Sequence, residues 1–327
     1  SDRIRYSPAS SSECDQKSFT DGMENENSYM IPTSIKEVRA LGWDYIDVIL
    51  FTGDAFIDHP SFGTAVIARW LQKHGYRVAV VPQPNWRDDL RDFRKLGAPR
   101  LYFGVNSGAM DSMVNHYTAA KRLRSDDAYT PEGKAGQRPD YAVTVYTKIL
   151  KEIYPDIPVV IGGIEASLRR VTHYDYWQDA LKPSILVDSG ADWLCYGMGE
   201  RTMLEFTRAV EAGRNVSDIR KIPQLGFYMD GRCKTKDAVI LNSYERCCRD
   251  KVAFAENFHV IETYANMLHQ PALVEPVGNG YVQINPSWPP ATQQEMDSFW
   301  DLPYTKLPHP RYKGKHIPAF EMIKFSI

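Results

Sequence analysis

From residue 44 onward, short apolar runs rich in β-branched residues alternate with longer amphipathic segments. This alternation is typical of repeated strand–helix–strand units, which build a parallel sheet with helices on both faces. Strands are predicted at residues 44–53, 76–84, 99–108, 157–163 and 193–196. The sequence therefore predicts an α/β fold over residues 31–221, with a doubly wound parallel sheet in a three-layer arrangement.

The segments on either side of this unit have a different character. Residues 1–30 are polar and predict a loosely held tail. Residues 222–318 accumulate prolines and predict an α+β connecting region, with one long helix at 243–268 and a hairpin around 278–280. Residues 319–327 predict a final strand.

Composition limits where this chain works and what it binds. With 43% hydrophobic and 24% charged residues it is typical of a globular protein, and no apolar run is long enough for a membrane helix. A net charge of -2 gives no overall electrostatic footprint for nucleic acid. The five cysteines are scattered and the N-terminus lacks the apolar centre of a secretory signal. We therefore expect a cytoplasmic protein with no membrane partner.

Candidate functional residues follow from the position of the strand ends. Ligands of an open parallel sheet bind outside the carboxyl ends of its strands, where loops and helix N-termini converge. Glycines in those turns let the backbone approach a ligand, although any α/β fold also needs them for tight corners. The predicted cofactor-binding set is Asp54, Asp58, His59, Ser107, Gly108, Gly162, Gly163, Glu165, Gly197, Gly199 and Glu200, with Gly53, Asn106 and Ile164 beside them.

His59 is the most distinctive member of this set. An imidazole just after the first strand could ligate a metal ion or act as a general acid. It could equally satisfy backbone groups at the helix entry, next to Pro60. The same turn, residues 53–63, lacks the G-x-G-x-x-G spacing that packs a dinucleotide against a helix, which argues against a nicotinamide site.

Two polar segments, residues 109–139 and 167–179, follow the third and fourth strands and flank the same crevice. Cations interleaved with aromatic rings can hold phosphates and stack bases. Because acidic residues nearby offset the charge, the segments can also be solvated loops that pair with themselves. The predicted substrate-binding set in them is His116, Lys121, Arg122, Arg124, Arg169, Arg170, His173 and Tyr174.

Five long strings of unusual sequence follow one another in this chain: VILFTGDAFIDHPSFGTAVIARWL, VPQPNWRDDLRDFRKLG, MDSMVNHYTAAKRLRSDDAYTP, PVVIGGIEASLRRVTHYDYW and VDSGADWLCYGMGE. Taken together and in this order, they resemble the N-terminal region of the YgiQ-type radical SAM proteins. The likeness runs from about residue 31 to residue 327. The turns HPSFG, VVIGG and DWLCYGMGE also resemble those of cobalamin-binding domains that precede many radical SAM barrels.

The resemblance implies a longer enzyme, whose N-terminal domain is Rossmann-like and cobalamin-binding-like and whose barrel is its partner in cis. In such a barrel a C-x-x-x-C-x-x-C loop holds a [4Fe-4S] cluster that binds S-adenosylmethionine. This chain would carry only the first barrel strand, residues 319–327, and none of the cluster ligands. The resemblance also implies cobalamin as a second cofactor. However, Asp58 and His59 are adjacent and depart from the D-x-H-x-x-G spacing that ligates cobalt through histidine.

Three functional hypotheses follow. The leading one is a domain that caps a radical SAM active site and helps to bind substrate or a second cofactor, and that is inactive on its own. The alternative is a non-catalytic module that binds a ligand or RNA through basic residues such as Arg122 and Arg124. The third is a stand-alone transferase that uses Asp54 or Glu165 as an acid or base.

Overall fold

The computed structural model describes residues 30–325, so the tail predicted at residues 1–30 lies outside the described residues except for its last position. The strands are β1 Val48–Thr52, β2 Val78–Pro82, β3 Tyr102–Asn106, β4 Val159–Ile161, β5 His173–Asp175, β6 Ala180–Lys182, β7 Trp193–Cys195, β8 Leu225–Asp230, β9 Val239–Ile240, β10 Leu273–Val277 and β11 Gly280–Ile284.

The helices are α1 Ile35–Ala40, α2 Gly63–Lys73, α3 Arg91–Arg94, α4 Ser112–His116, α5 Ala142–Ile153, α6 Gly163–Leu168, α7 Ile185–Ser189, α8 Glu200–Glu211, α9 Val216–Ile219, α10 Tyr244–Arg249, α11 Lys251–Ala265, α12 Gln293–Trp300 and α13 Pro318–Ile323. Two short 3₁₀ helices lie at Pro131–Gly133 and Pro310–Tyr312.

Nine strands form one sheet in the order β2-β1-β3-β4-β7-β8-β11-β10-β9, and β5 pairs with β6 separately. The first five strands in this order, β2, β1, β3, β4 and β7, are parallel to one another. Val48 of β1 lies opposite Val78 of β2 and Tyr102 of β3. Their order is the 2-1-3-4-5 order of a doubly wound sheet, with its reversal between β1 and β3. The predicted α/β fold with a large, mostly parallel sheet is therefore confirmed.

Two apolar cores lie on opposite faces of the sheet. In β1, Val48 and Leu50 belong to one core, while Ile49 and Phe51 belong to the other. Successive side chains of a strand point to opposite faces, so each face is covered. Helices α2 and α8 pack on the first core, and α5 and α7 pack on the second. Burial on both faces explains why the parallel strands are continuous apolar runs in the sequence.

The sheet does not stop at residue 221, where the sequence placed the end of the α/β domain. Strand β8 pairs antiparallel with β7, and β11, β10 and β9 continue the same sheet. The predicted hairpin is present, with Val277 opposite Gly280. The sheet therefore continues past the predicted boundary at residue 221, because β8, which follows that residue, pairs with one edge of β7.

The long helix predicted at residues 243–268 is two helices. Asp250 adopts an extended conformation, with φ of -134° and ψ of 105°, between α10 and α11. Its carboxylate accepts a hydrogen bond from the backbone N–H of Val252 at 2.9 Å. An aspartate in this position caps the second helix, so the sequence prediction missed an N-cap inside an apolar-periodic run.

The strand predicted for residues 319–327 is wrong over its described part, which begins with helix α13. Pro318 occupies the first turn of this helix, where its missing N–H costs nothing and its fixed φ favours the helix. Glu321 lies in the same turn, beside the positive end of the helix dipole. Ser326 and Ile327 lie outside the described residues.

Over residues 30–325, we find no helix that combines the length and the apolar character needed to span a bilayer.

Candidate ligand-binding site at the strand ends

A cavity of about 320 Å³ lies at the carboxyl ends of β1, β3, β4 and β7. We call it the strand-end cavity. Its floor is one face of the sheet, with Leu50, Gly104 and Val160, and its walls include Ile67 of α2 and Met203 of α8. Strands β1 and β3 flank the point where the strand order reverses, which is where open α/β sheets bind ligands.

Six of the predicted cofactor-binding residues line this cavity: Gly108, Gly162, Gly163, Gly197, Gly199 and Glu200. Three of the five glycines, Gly108, Gly163 and Gly197, have a positive φ, and the first two show why glycine is favoured there. Gly108 has a φ of +107°, and a Cβ there would clash with the Asp54 carboxylate. Gly163 has a φ of +77°, a conformation that other residues resist. The turns therefore bring backbone close to the cavity without side chains that would fill it.

Asn106 supplies an oriented polar group on the cavity wall. Its Oδ1 accepts hydrogen bonds from Thr52 Oγ1 at 2.8 Å, from the Gly108 N–H at 2.9 Å and from Thr64 Oγ1 at 3.2 Å. A backbone N–H can only donate, so the atom that faces Gly108 must be the amide oxygen. The Asn106 NH₂ group then points away from these partners and is available as a donor to a ligand.

Glu200 is the acidic residue of the cavity lining and the first residue of α8. Burial raises the pKa of its carboxyl. Its position beside the positive N-terminal end of α8 favours the ionised form, in opposition to burial. Asn106 and Glu200 thus offer one donor and one acceptor in a mostly apolar cavity, a combination that orients a bound molecule.

Asp54 and Ser107 lie beside the cavity but are held in a buried charge cluster. Arg138 Nη1 lies 2.8 Å from Asp54 Oδ1 and donates to the Ser107 carbonyl at 2.7 Å, while Nη2 lies 2.9 Å from Asp127 Oδ2. Burial raises the pKa of Asp54 to about 6, against the opposing effect of Arg138. This cluster fastens the polar segment that follows β3 onto the end of β1.

Glu165, predicted as a cofactor ligand, is fully buried and outside the cavity lining. Its Oε2 accepts from the backbone N–H of Ser112 at 2.9 Å, and its Oε1 accepts from that of Val143 at 3.0 Å. Both donors lie in the first turn of a helix, where N–H groups lack partners within the helix. Glu165 lies in the first turn of α6, just after β4, and therefore joins the starts of α4 and α5 to the start of α6.

Asp58 and His59 are buried outside the cavity lining as well. Asp58 forms an ion pair with Arg69, with Oδ1 3.0 Å from Nε, and accepts from the Thr305 N–H at 2.9 Å. His59 Nδ1 accepts a hydrogen bond from the Ser61 N–H at 3.1 Å, and burial lowers the pKa of the ring. In the structure His59 therefore forms a hydrogen bond with a backbone group at the helix entry, which is one of the roles that the sequence allows.

The predicted substrate-binding residues are dispersed around the same edge of the sheet, and none of the eight lines the strand-end cavity. His116 Nδ1 lies 2.6 Å from Asp140 Oδ1, and Arg169 pairs with Asp111. Burial lowers the pKa of His173 to about 4. Three of the remaining five, Lys121, Arg122 and Arg124, are exposed. The Tyr174 hydroxyl donates a hydrogen bond to the Asp179 carboxylate, and Arg170 lines a second cavity.

A family model described as Radical SAM N-terminal matches residues 30–326. The chain belongs to this family. Two similar relatives carry the name UPF0313 protein. The one from Bacteroides thetaiotaomicron is 54% identical in an alignment 310 positions long, which covers 91% of this chain and 50% of the relative. The one from Escherichia coli strain K12, YgiQ, is 41% identical in an alignment 352 positions long, gaps included, which covers 91% of this chain and 48% of the relative.

The resemblance to YgiQ-type proteins is therefore confirmed, and the chain spans about half the length of the curated relatives it matches. The radical S-adenosylmethionine methyltransferase TsrM from Kitasatospora setae, solved with tryptophan substrate and an S-adenosylmethionine analogue, aligns over 55% of this chain and 28% of its own. The identity is 21% and the TM-score is 0.36. Neither fold nor function is inferred from a likeness at this level.

The cysteines of this Radical SAM N-terminal chain do not fit an iron-sulfur cluster within the described residues. Across residues 30–325, no three His, Cys, Asp or Glu side chains are grouped as metal ligands. Burial raises the pKa of Cys195 to about 12 and that of Cys247 to about 11, which disfavours the thiolate form that binds metal. The cluster ligands that the family name implies are thus not supplied by this part of the chain.

Several lining residues of the Radical SAM N-terminal chain escaped the sequence prediction: Leu50, Thr64, Ile67, Gly104, Met198 and Met203. All but Met198 lie on strands or on the inward faces of α2 and α8. A helical apolar pattern shows that a side chain points inward, but it does not distinguish contact with the core from contact with a cavity.

Proposed function

We propose that this chain is the N-terminal portion of a radical SAM enzyme, that it caps the barrel in cis, and that its strand-end cavity holds substrate or a second cofactor. The observation that carries this proposal is the apolar rim of the cavity. Met198, in the lining, is 56% exposed, and Ile164, next to the lining residue Gly163, is 42% exposed. Leu168, one turn along α6, is 58% exposed.

Exposed apolar side chains grouped around a cavity mark a contact surface. The occupant of this surface is proposed to be the remaining half of the longer protein, because the chain spans about half of its relatives. In that arrangement the cavity opens toward the barrel, and a molecule held between Asn106 and Glu200 faces the reaction site. The cluster and S-adenosylmethionine belong to the barrel half, since the described residues supply no set of thiolates.

The cavity would accommodate part of a cobalamin molecule as the second cofactor. The apolar floor and the Asn106 donor suit a flat heterocyclic group, and the glycine turns leave room for it. His59 does not fit as a cobalt ligand, because it lies outside the cavity lining and because its Nδ1 accepts from the Ser61 N–H, which leaves the proton of the neutral ring on Nε2. Bound cobalamin supplies radical or alkyl-transfer chemistry, while this chain would bind and orient its appended group.

The longer protein tests the enzyme assignment. Anaerobic reconstitution with iron and sulfide is expected to give a [4Fe-4S] absorption spectrum and reductive cleavage of S-adenosylmethionine to deoxyadenosine. The 327-residue chain treated in the same way is the control, and it is expected to show neither. Cleavage by the chain alone would contradict the assignment, as would a longer protein that holds no cluster.

The cavity is tested by titrating the chain with hydroxocobalamin, monitored by absorption. Ile67→Phe narrows the cavity and is expected to weaken binding at least tenfold, whereas Ile240→Phe makes the same substitution at an exposed position of β9 outside the cavity and is expected to leave binding unchanged. His59→Ala is expected to leave the cobalamin spectrum unchanged. Equal binding by the wild type and Ile67→Phe would exclude this cavity as the site.

The alternative, a non-catalytic RNA-binding module, is favoured by one observation. Arg122 and Arg124 are exposed, and within the described part of the chain neither forms an ion pair with a carboxylate. A gel shift with single-stranded RNA that is lost in Arg122→Gln/Arg124→Gln would support it. The transferase alternative has less support, because Asp54 and Glu165 are engaged in buried contacts outside the cavity.

The cytoplasm is the compartment that we propose for this protein. The four cysteines among residues 30–325 are all unpaired, which suits a reducing environment.

A further inference from the structure

A second cavity, of about 160 Å³, lies at the same edge of the sheet as the first but on the opposite face. The end of β7 separates the two cavities. Cys195 lines the strand-end cavity, and the next residue, Tyr196, lines the second. Leu273 of β10 and Ile284 of β11 form its sheet side, and Tyr264 of α11 forms part of its wall. We call it the arginine cavity, after Arg170 in its lining.

Arg170 is a largely enclosed guanidinium without a matching carboxylate. Its Nη1 donates to the Ser167 carbonyl at 2.7 Å, and its guanidinium carbon lies 5.4 Å from the centroid of the Tyr196 ring. Glu262 is close enough to act on its charge, but Arg170 makes no ion pair within the described part of the chain. The donors on Nε and Nη2 are therefore left for a molecule in the cavity.

Arg169, the residue before Arg170, is also buried, but it has carboxylates close to it. Burial favours the uncharged form of both side chains, but for Arg169 the nearby carboxylates of Asp111, Glu165 and Asp175 together outweigh burial, and its pKa is raised. Burial dominates for Arg170, whose pKa is lowered. A cation that is partly removed from water without a counter-ion is an unfavourable arrangement, and an incoming anion would relieve it.

The remaining lining selects against a bare ion. Tyr264, Leu273 and Ile284 present ring and aliphatic surface, while Asn285 and Gln270 add polar groups at the margin. Liquid water occupies about 30 Å³ per molecule, so the cavity volume equals that of roughly five water molecules. The space suits a small molecule with one charged end and one apolar end.

We propose that the arginine cavity binds a small molecule that joins a carboxylate to a flat apolar body, with Arg170 as the partner of the carboxylate. A planar guanidinium can donate two parallel hydrogen bonds to such a group. The apolar body lies against Tyr264 and the β10–β11 side. This site is separate from the strand-end cavity, so it does not depend on the function proposed for that cavity.

Calorimetric titration of the 327-residue chain with benzoate, and in parallel with inorganic phosphate, tests the proposal. Benzoate is expected to bind saturably and more tightly than phosphate. Arg170→Gln is expected to weaken benzoate binding at least about tenfold, and Arg170→Lys, which keeps the charge but loses the planar fork, is expected to be intermediate. Arg214→Gln, an exposed arginine outside the cavity, makes the same charge change and is expected to bind as the wild type does.

A second variant tests the site independently in case Arg170→Gln fails to fold. Ala265→Met fills the arginine cavity from the end of α11 while it keeps Arg170, and it is expected to lose benzoate binding with an unchanged circular dichroism spectrum. Benzoate that fails to saturate the wild type, or that binds both variants normally, overturns the proposal. Phosphate that binds as tightly as benzoate overturns the requirement for an apolar body.

Discussion

Glu165 Oε2 lies 2.9 Å from the backbone nitrogen of Ser112, and through this contact a single buried carboxylate holds the start of α4. Its second oxygen holds the start of α5 through Val143. Glu165 lies in the first turn of α6, so the N-terminal ends of α4, within the long polar segment, and of α5, just after it, are both held against the start of α6. An acidic residue that looks catalytic by its position after a strand acts here as a shared helix cap.

Replacing Glu165 tests this role. Glu165→Gln places an NH₂ group against one of the two N–H donors, and leaving a buried donor unpaired costs about 1–3 kcal/mol. We expect the free energy of unfolding to fall by that amount in urea denaturation. Glu152→Gln, exposed on α5, is the matched control and is expected to change it by less than about 0.5 kcal/mol. Equal effects of the two changes would contradict the capping role.

The Arg138 cluster gives a second prediction. Arg138→Met leaves Asp54 and Asp127 buried without their common partner, and breaking a buried pair in this way costs about 3–5 kcal/mol. Adding Asp54→Asn and Asp127→Asn to Arg138→Met is expected to restore part of the loss, because neutral amides tolerate burial better. Arg122→Met, in the exposed loop, should change stability little. A triple variant no more stable than Arg138→Met would contradict an electrostatic origin of the loss.

Glu275 predicts how stability depends on pH. Burial raises its pKa to about 7 from an ordinary value of 4.5, although the Thr172 N–H opposes the shift. The folded state therefore keeps a proton between these values that the unfolded state has already lost. The free energy of unfolding is expected to fall as pH rises through this window and to level off above about 7.

Glu275→Gln removes this contribution, so its stability is expected to fall less than that of the wild type between about pH 5 and about pH 8. Urea denaturation at several pH values measures the difference. Glu152→Gln again serves as the exposed control. Parallel pH profiles for the wild type and Glu275→Gln would show that Glu275 titrates normally.

Asp250 gives a prediction for the helix pair α10 and α11. Asp250→Ala removes the acceptor for the Val252 N–H, and loss of an N-cap of this kind costs about 1 kcal/mol. We expect a fall of that size in the free energy of unfolding. Asp156→Ala, in an exposed turn, is the control. A single continuous helix in the variant, seen as increased helical circular dichroism without a loss of stability, would contradict the capping role.

The sequence predicted the parallel part of the fold well for a local reason. Buried parallel strands are continuous apolar runs, and the glycines that end them must adopt conformations that few other residues tolerate. Gly108 and Gly163 lie in the lining of the cavity, at the strand ends from which the sequence prediction started. Their positions depend on the residues immediately around them, which a single sequence contains.

The polar candidates were harder to predict because their roles depend on distant partners. Glu165 receives its hydrogen bonds from residues 53 and 22 positions away, and Asp58 is bound by the N–H of Thr305, 247 positions away. No spacing in the sequence indicates such contacts. The same holds for β8, whose antiparallel pairing with β7 and β11 depends on the free edge of β7 and not on an alternation of strands and helices.

The antiparallel extension determines how short a piece of this chain can be made. A polypeptide that ends near residue 221 would leave the backbone donors and acceptors along one side of β7 without a neighbouring strand, and would uncover Leu194 and Cys195. Bare strand edges of this kind recruit other chains. Separate production of the α/β unit should therefore extend through Ile284, so that the last long strand closes over β8 before any cut is made.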